Sequence, residues 1–290
     1  DKYQICEMIS AQKGTDIVYS RIDRYENVVL CDMPLEIQSS IVEYCFQHSI
    51  RSYIIPKITD IMLLGAEQIH LFDTPILLLR NQGLGLEQVI VKRFMDLVIS
   101  FFMLILTSPL MLLIALCIKA QDGGPVIYKQ KRLTKDGKEF DIYKFRSMRT
   151  DSERSGARLA QKGDSRVTPV GKVIRNLHFD ELPQLFNILK GDMSLVGPRP
   201  ERPEIAKQYK SQVPEFEFRL KVKAGLTGYA QVYGKYNTTP EDKLKLDLFY
   251  IEHYTVWMDM KLLLLTFKIL FQKENTEGIE QDQVTASKRK

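Results

Sequence analysis

Two adjacent carboxylates, Asp180 and Glu181, stand just before an apolar run in which Leu182, Leu185, Phe186 and Leu189 recur at i, i+3, i+4 and i+7. That is the spacing of one helix face. Pro183 suits an early helical position, where a missing N–H costs nothing, and Gly191 falls where a left-handed stop is expected. The pair therefore belongs at or just before a helix N-terminus, where free N–H groups and the dipole favour anions and a phosphate can dock. There, one carboxylate can attack phosphorus while the other holds a divalent metal. An isolated Asp-Glu would read more simply as an acidic cap. The basic residues around it shift that balance: Arg175 precedes the pair, Lys144 and Arg146 end a hairpin, and Gly197-Pro198-Arg199-Pro200 is a rigid loop. Arginine suits bidentate phosphate contact and lysine a point-charge contact. Each cation alone reads as a solvated surface charge, but the glycine and prolines around Arg199 argue for a held position.

The elements that must position these groups fit a folded chain of 290 residues, 44% hydrophobic and 27% charged, long enough for two modest domains. A net charge of +5 suits an anionic membrane surface or phosphorylated substrates. No zinc-finger spacing, RNA-binding aromatic signature or long basic arm points to nucleic acid. Cys6, Cys31, Cys45 and Cys117 form no CxxC pair and no His-linked spacing, which favours reduced thiols in a cytosolic setting. The chain starts at Asp1 without a signal-peptide pattern, as a piece of a longer polypeptide would.

Residues 1–86 read as α/β. Asn27–Cys31 is a short strand, Leu35–His48 a helix, Ser52–Ile55 a second strand and Pro75–Leu79 another, which suggests a parallel βαβ unit. The first strand is followed by Asp32-Met33-Pro34 rather than by phosphate-cradling glycines, so a degenerate Rossmann-like domain without a working dinucleotide site is expected. Leu97–Ile118 carries no charge over 22 residues, enough to cross a bilayer. Ser108-Pro109 near its middle predicts a kink, with the serine hydroxyl satisfying a freed carbonyl. Both flanks are basic, so both ends prefer the cytoplasmic side; a hairpin entering and leaving by one face resolves this, although periodicity alone leaves a straight span open. Tyr128–Arg132, the turn Lys135–Lys138 and Phe140–Arg146 predict a β-hairpin. Thr150–Asp164 reads as a solvated segment. Val256–Phe271 fits an amphipathic helix, used either on the membrane plane or against the core. The tail 273–290 is polar and expected to be disordered.

Several motifs recur in one order: Lys92-Arg93-Phe94-Met95-Asp96, the apolar run broken at Ser108-Pro109, Tyr143-Lys144-Phe145-Arg146-Ser147-Met148 and Asp180-Glu181-Leu182-Pro183-Gln184. Met193 to Glu201, Lys223-Ala224-Gly225-Leu226-Thr227-Gly228 and Asp247 to Glu252 complete the series. From Val89 to Leu270 the chain resembles the bacterial sugar transferases, the monotopic polyprenyl-phosphate phosphoglycosyl transferase family. Residues 1–86 resemble the Rossmann-like domain that larger members carry after transmembrane helices absent here. The resemblance implies transfer of a sugar-1-phosphate from a UDP-sugar to undecaprenyl phosphate, with UMP released and an exopolysaccharide, capsule or O-antigen begun. It implies Asp180 as nucleophile in an aspartyl-phosphosugar intermediate and Glu181 as the Mg²⁺ ligand. Lys144, Arg146, Arg175 and Arg199 would hold phosphates, and Ser108 and Pro109 would set a re-entrant bend. That topology puts the site on the cytoplasmic face of the bacterial inner membrane, in contact with membrane lipid. His178 departs from the Ser or Thr that relatives more often carry, which bears on donor preference.

The expected fold is thus α/β: a partial Rossmann-like domain over 1–86, a re-entrant helix over 89–120, and a mainly helical α+β catalytic domain with a small hairpin over 121–272, before the tail. A membrane-anchored scaffold would have no need of both carboxylates and their cations. A glycosidase needs carboxyls set across a sugar rather than adjacent at a helix start. An NAD-dependent sugar enzyme is weakened by the missing GxGxxG. The sugar and the oligomeric state, a homo-oligomer included, are open from sequence.

Overall fold

The first sixty residues build the parallel pair that their pattern predicts. In the computed structural model, which describes residues 4–10, 14–79, 83–149, 164, 166–234 and 238–270, α1 (Thr15–Ile22) leads to β1 (Asn27–Leu30), α2 (Leu35–Gln47) and β2 (Arg51–Ile54). β1 and β2 pair in parallel, Asn27 opposite Arg51 and Leu30 opposite Ile54. Val18, Ile22, Leu30, Ile41 and Cys45 form the core beneath them. The turn after β1 is made by Asp32 in the left-handed region (φ 42), which aspartate tolerates better than most residues. The chain divides into two compact units, 1–59 and 60–290.

After α3 (Ile58–Leu64), β3 (Glu67–Leu71) and β4 (Thr74–Leu78) make an antiparallel hairpin. The strand read at Pro75–Leu79 is therefore present, and it pairs with β3 instead of extending a parallel sheet. A 37-residue helix, α4 (Leu86–Asp122), follows. The Gln88 side chain accepts from the Gly85 N–H at 2.8 Å, and Gly123 at φ 68 ends the helix. Pro109 cannot donate to Ile105 four residues back, and the Ser108 hydroxyl donates to that freed carbonyl at 2.9 Å. Thr107 donates likewise to Met103 at 2.7 Å. Among the described residues this is the one helix long and apolar enough to cross a membrane, and Phe101, Phe102, Ile105, Leu106 and Leu112 along it are exposed.

Both ends of α4 seat on the second unit. β5 (Ile127–Leu133) and β6 (Glu139–Phe145) form the expected hairpin, turned by Asp136 (φ 58) and Gly137 (φ 70). α5 (Pro169–Asn176) is capped by the Thr168 hydroxyl, which accepts from Gly171 N–H at 3.0 Å. α6 (Gln184–Lys190) ends at Gly191 in the left-handed region (φ 97). β7 (Ser194–Val196) pairs in parallel with β8 (Gly225–Thr227), with α7 (Pro203–Gln212) and a 3₁₀ run, Pro214–Lys221, between them. α8 (Tyr229–Tyr233), α9 (Pro240–Glu252) and α10 (Val256–Leu270) complete the unit. Of the segment read as solvated over 150–164, residues 150–163 lie outside the described residues, as does the polar tail over 273–290; Asp164 is described and pairs with Arg166 at 2.6 Å.

Candidate active site

The carboxylate pair is held by its apolar neighbours. His178 takes a left-handed conformation (φ 55), and the chain then makes one 3₁₀ turn, Phe179–Glu181, before α6 begins. Phe179 and Leu182, on either side of the pair, pack into the cluster of Ile114, Ile118, Phe145 and Ile174. Burying those two flanks orients Asp180 and Glu181 away from that core. Asn187, fully buried on α6, fixes the helix to the hairpin: its Oδ1 accepts from Tyr143 N–H at 2.9 Å and its Nδ2 donates to Asp141 O at 2.8 Å.

The hairpin thereby delivers Lys144, whose ammonium lies 2.6 Å from Glu181 Oε1. Arg199 Nη2 reaches the same oxygen at 3.2 Å. The Arg199 loop is clamped through its backbone. Gly197 N–H donates to Thr227 O at 2.8 Å and Gly225 N–H to Pro198 O at 2.9 Å. Arg219 Nη2 donates to Arg199 O at 3.0 Å, and Arg132 Nη1 to Pro200 O at 3.1 Å. A Cβ on Gly225 would come within 2.1 Å of the Gly197 nitrogen, so the two loops cross at a distance only glycine allows. Behind them Arg219 pairs with Asp247 at 2.7 Å, and Glu201 pairs with Lys243 and with Arg219.

The electrostatics separate the two carboxyls. Burial opposes the charge on Glu181, but Lys144 and Arg199 outweigh it and hold the group well below the usual glutamate range. Asp180 moves the other way: burial and the neighbouring Glu181 charge raise it, against the pull of Lys144 and Arg175. Arg199 is raised, chiefly by Glu181. Burial lowers Arg132 to about 10, with Arg199 pushing in the same direction. One site thus holds an aspartate of increased basicity beside a firmly ionised glutamate, in a field of at least three cations.

Of the residues singled out in the sequence, Asp180, Glu181, Lys144 and Arg199 come together, and Arg175 acts on Asp180 through its charge. Arg146 does not join them. It lies just past the end of β6, its N–H donates to Val126 O, and its guanidinium makes a two-pronged pair with Asp122 at the end of α4. With 6% exposure it ties the hairpin to the long helix. Ser108 and Pro109 stand on the exposed middle of α4, and the Ser108 hydroxyl is engaged by Ile105 O. Among the described residues no three His, Cys, Asp or Glu side chains gather at one point. Two adjacent carboxylates still fit Mg²⁺, which takes one or two protein carboxylates and completes its shell with water and substrate phosphate.

Several functional contacts escaped the sequence reading. Lys92, Arg93 and Asp96 carried a motif without a role; the structure gives each one. Lys92 pairs with Asp259 at 2.5 Å, Arg93 donates to Ile188 O and Leu189 O at the end of α6, and Asp96 accepts from Leu195 N–H. Arg132, Arg219 and Asn187 gave no local signal beyond their polarity.

A model of the bacterial sugar transferase family matches residues 87–273. Over 183 residues the chain is 45% identical to the UDP-N-acetylgalactosamine-undecaprenyl-phosphate N-acetylgalactosaminephosphotransferase of Aeromonas hydrophila, covering 62% of this chain and 43% of that one. Over 270 residues it is 35% identical to a UDP-glucose:undecaprenyl-phosphate glucose-1-phosphate transferase of Klebsiella pneumoniae, covering 91% and 56%. A protein of Caulobacter vibrioides with that same activity in its name is 39% identical over 211 residues, covering 70% and 79%. The chain spans about half the length of the first two relatives, 43% and 56%. The family match runs from the first turn of α4 past the end of α10 and takes in every site element described above, so the chain belongs to the bacterial sugar transferase family.

Proposed function

We propose that the chain transfers a sugar-1-phosphate from a UDP-sugar to undecaprenyl phosphate and releases UMP. The observation that carries this reading is the split between the carboxyls: Asp180 raised by burial, Glu181 held ionised by Lys144 and Arg199. The relatives' named activities support it. A carboxylate oxygen of Asp180 attacks the phosphorus that bears the sugar, the bond to the bridging oxygen breaks, and UMP leaves. An oxygen of the lipid phosphate then attacks the same phosphorus and frees Asp180. A raised Asp180 is the more basic, hence the more nucleophilic, of the two groups. Arg199, Arg175 and Lys144 orient the diphosphate and balance its charge, which is most of what phosphoryl transfer asks of a protein. Glu181 would hold Mg²⁺, which when bound neutralises charge on the transferring phosphate.

The long helix enters the bilayer and returns to one face. Basic residues at both ends, both ends seated on one unit, and the proline with its serine-satisfied carbonyl support that topology. It sets the site at the cytoplasmic face of the inner membrane, where a soluble donor meets a lipid acceptor. The β1–α2–β2 unit fits a degenerate Rossmann-like domain.

Mass spectrometry after incubation with UDP-sugars and Mg²⁺, without acceptor, tests the chemistry. A sugar-phosphate adduct on Asp180, absent from Asp180→Asn, is expected, and its mass separates a hexose from the N-acetylated hexose that one relative's name carries. UMP release that survives Asp180→Asn would remove Asp180 as nucleophile.

A further inference from the structure

Away from the dyad, α8, α9 and the first turns of α10 enclose a notch of about 290 Å³. Its wall is aromatic: the Tyr229 ring lies 4.6 Å from Tyr233 and 5.2 Å from Phe249, and Trp257 closes the outer side at 76% exposure. Lys261, one turn beyond Trp257, lines the notch and is exposed. Among the described residues no acid lines it and Lys261 has no ion-pair partner. The nearest acid on the same helix, Asp259, is 4% exposed and already holds Lys92 and the Tyr250 hydroxyl on the inner side. Further along α10, Leu264 and Phe267 are exposed at i+7 and i+10 from Trp257, so an apolar stripe runs out from the notch. The Lys92–Asp259 pair fixes this helix against the base of α4.

We propose that this notch is a docking site for the phosphate headgroup of an acidic membrane lipid, with the lipid chain lying along the Leu264–Phe267 stripe. It rests on the membrane reading above. A cation without a counter-ion calls for an anion. Tyrosine and tryptophan rings suit the boundary between hydrocarbon and water, and a lysine beside them keeps its head at the level of phosphates. The apolar stripe on the same helix favours an anion that carries a chain over a free one. This site is separate from acceptor handling: its lining shares no residue with the groups around Asp180 and Glu181.

Trp257 is the chain's single tryptophan, so its emission reports on the notch directly. The full chain is titrated with phosphatidylcholine vesicles and with vesicles doped with phosphatidylglycerol. The expected result is a blue shift with both and tighter binding to the doped vesicles. Lys261→Gln should weaken binding to the doped vesicles about fivefold, the effect of about 1 kcal/mol per lysine at an anionic surface. Lys268→Gln, an exposed lysine further along α10, should lose clearly less. Equal losses from the two variants would mean diffuse surface charge; they would overturn the notch and leave the membrane reading standing. No emission change with either vesicle would overturn both. A shift with soluble glycerol phosphate alone would make this a free-phosphate site and overturn the lipid assignment. UMP release in detergent should be unchanged in Lys261→Gln, and a fall there would assign the lysine to the acceptor instead.

Discussion

Replacing Lys92 with Met should loosen the joint between α4 and the catalytic unit, and the structure sets the size of the effect. The Lys92 ammonium lies 2.5 Å from Asp259 Oδ2, with side chains 8% and 5% exposed. It also sits 5.4 Å and 5.9 Å from the Tyr254 and Tyr250 ring centres. Removing the cation leaves a buried carboxylate that keeps the Tyr250 hydroxyl, 2.8 Å from Oδ1, but has lost the charge that balanced it. Breaking one side of a buried pair costs about 3–5 kcal/mol. For a unit of this size that lowers the melting temperature by about 6–20 °C. The double variant Lys92→Met/Asp259→Leu should recover most of the loss, because the carboxylate that Lys92 balanced is removed with it, Asp96 keeps its bond from Leu195 N–H, and Tyr250 can still donate to Val196 O at 3.2 Å. The assay is thermal unfolding in detergent of both single variants and the double, analysed as a cycle. A Lys92→Met cost below about 1 kcal/mol, or additive costs in the double, would refute the reasoning and show that apolar packing alone seats α4.

Glu181→Gln should lower the rate of adduct formation about 10²–10³-fold, the scale for losing one preorganised charge contact. It should also move the acid limb of the pH profile to lower pH, because Glu181 raises Asp180 and its loss frees Lys144 to act on that group; an unmoved limb in UMP release would contradict this. Glu201, held at about 2 by Lys243 and Arg219 against its burial, contributes stability that is complete above its unfolded value near 4.5 and lost as pH falls through about 2. That contribution is about 3 kcal/mol, offset in part by Asp247, which burial raises. Urea midpoints should therefore fall more gently below pH 4.5 in Glu201→Gln than in the wild type, from a lower starting stability. Asn187→Ala strands a part-buried N–H and a part-buried C=O and should cost about 1–3 kcal/mol by denaturant unfolding.

What the sequence reveals about this site is what depends on neighbours along the chain. Leu182, Leu185 and Leu189 with Pro183 and Gly191 predict the dyad helix because periodicity and stop signals act within a few residues, and α6 ends at Gly191 as expected. The hairpin turn at Asp136-Gly137 and the β1–α2–β2 unit are legible for the same reason. β3 was missed because all five of its residues are exposed, so burial imposed no pattern on them. Lys144 and Arg146 both close the hairpin and so look alike in sequence; the partner of Arg146, Asp122, lies at the end of another element that no local rule connects to it. Lys92 and Asp259 are 167 residues apart, and their pairing is a property of the assembled fold. The amphipathic pattern over Val256–Phe271 fits either membrane or core. α10 buries Leu262 and Asp259 while exposing Trp257, Leu264 and Phe267, so one helix presents both faces.

The pairing of Tyr128 with Lys144, locked by Asn187 on the Asp141 and Tyr143 backbone, constrains where this chain can change length. Side chains alternate along a strand, so one inserted or deleted residue between Glu139 and Lys144 turns the lysine to the opposite face. Two inserted residues restore the face but carry the ammonium about 7 Å along the strand, beyond reach of Glu181. The exposed tip of the turn, residues 136–138, absorbs extra residues without moving either end of β6, whereas Thr134 is buried and tied to Asp192 O and Ala224 N–H. Homologues should accordingly vary in length at that turn and keep a fixed count from Glu139 to Phe145, because this spacing meters the distance between the lysine and the dyad.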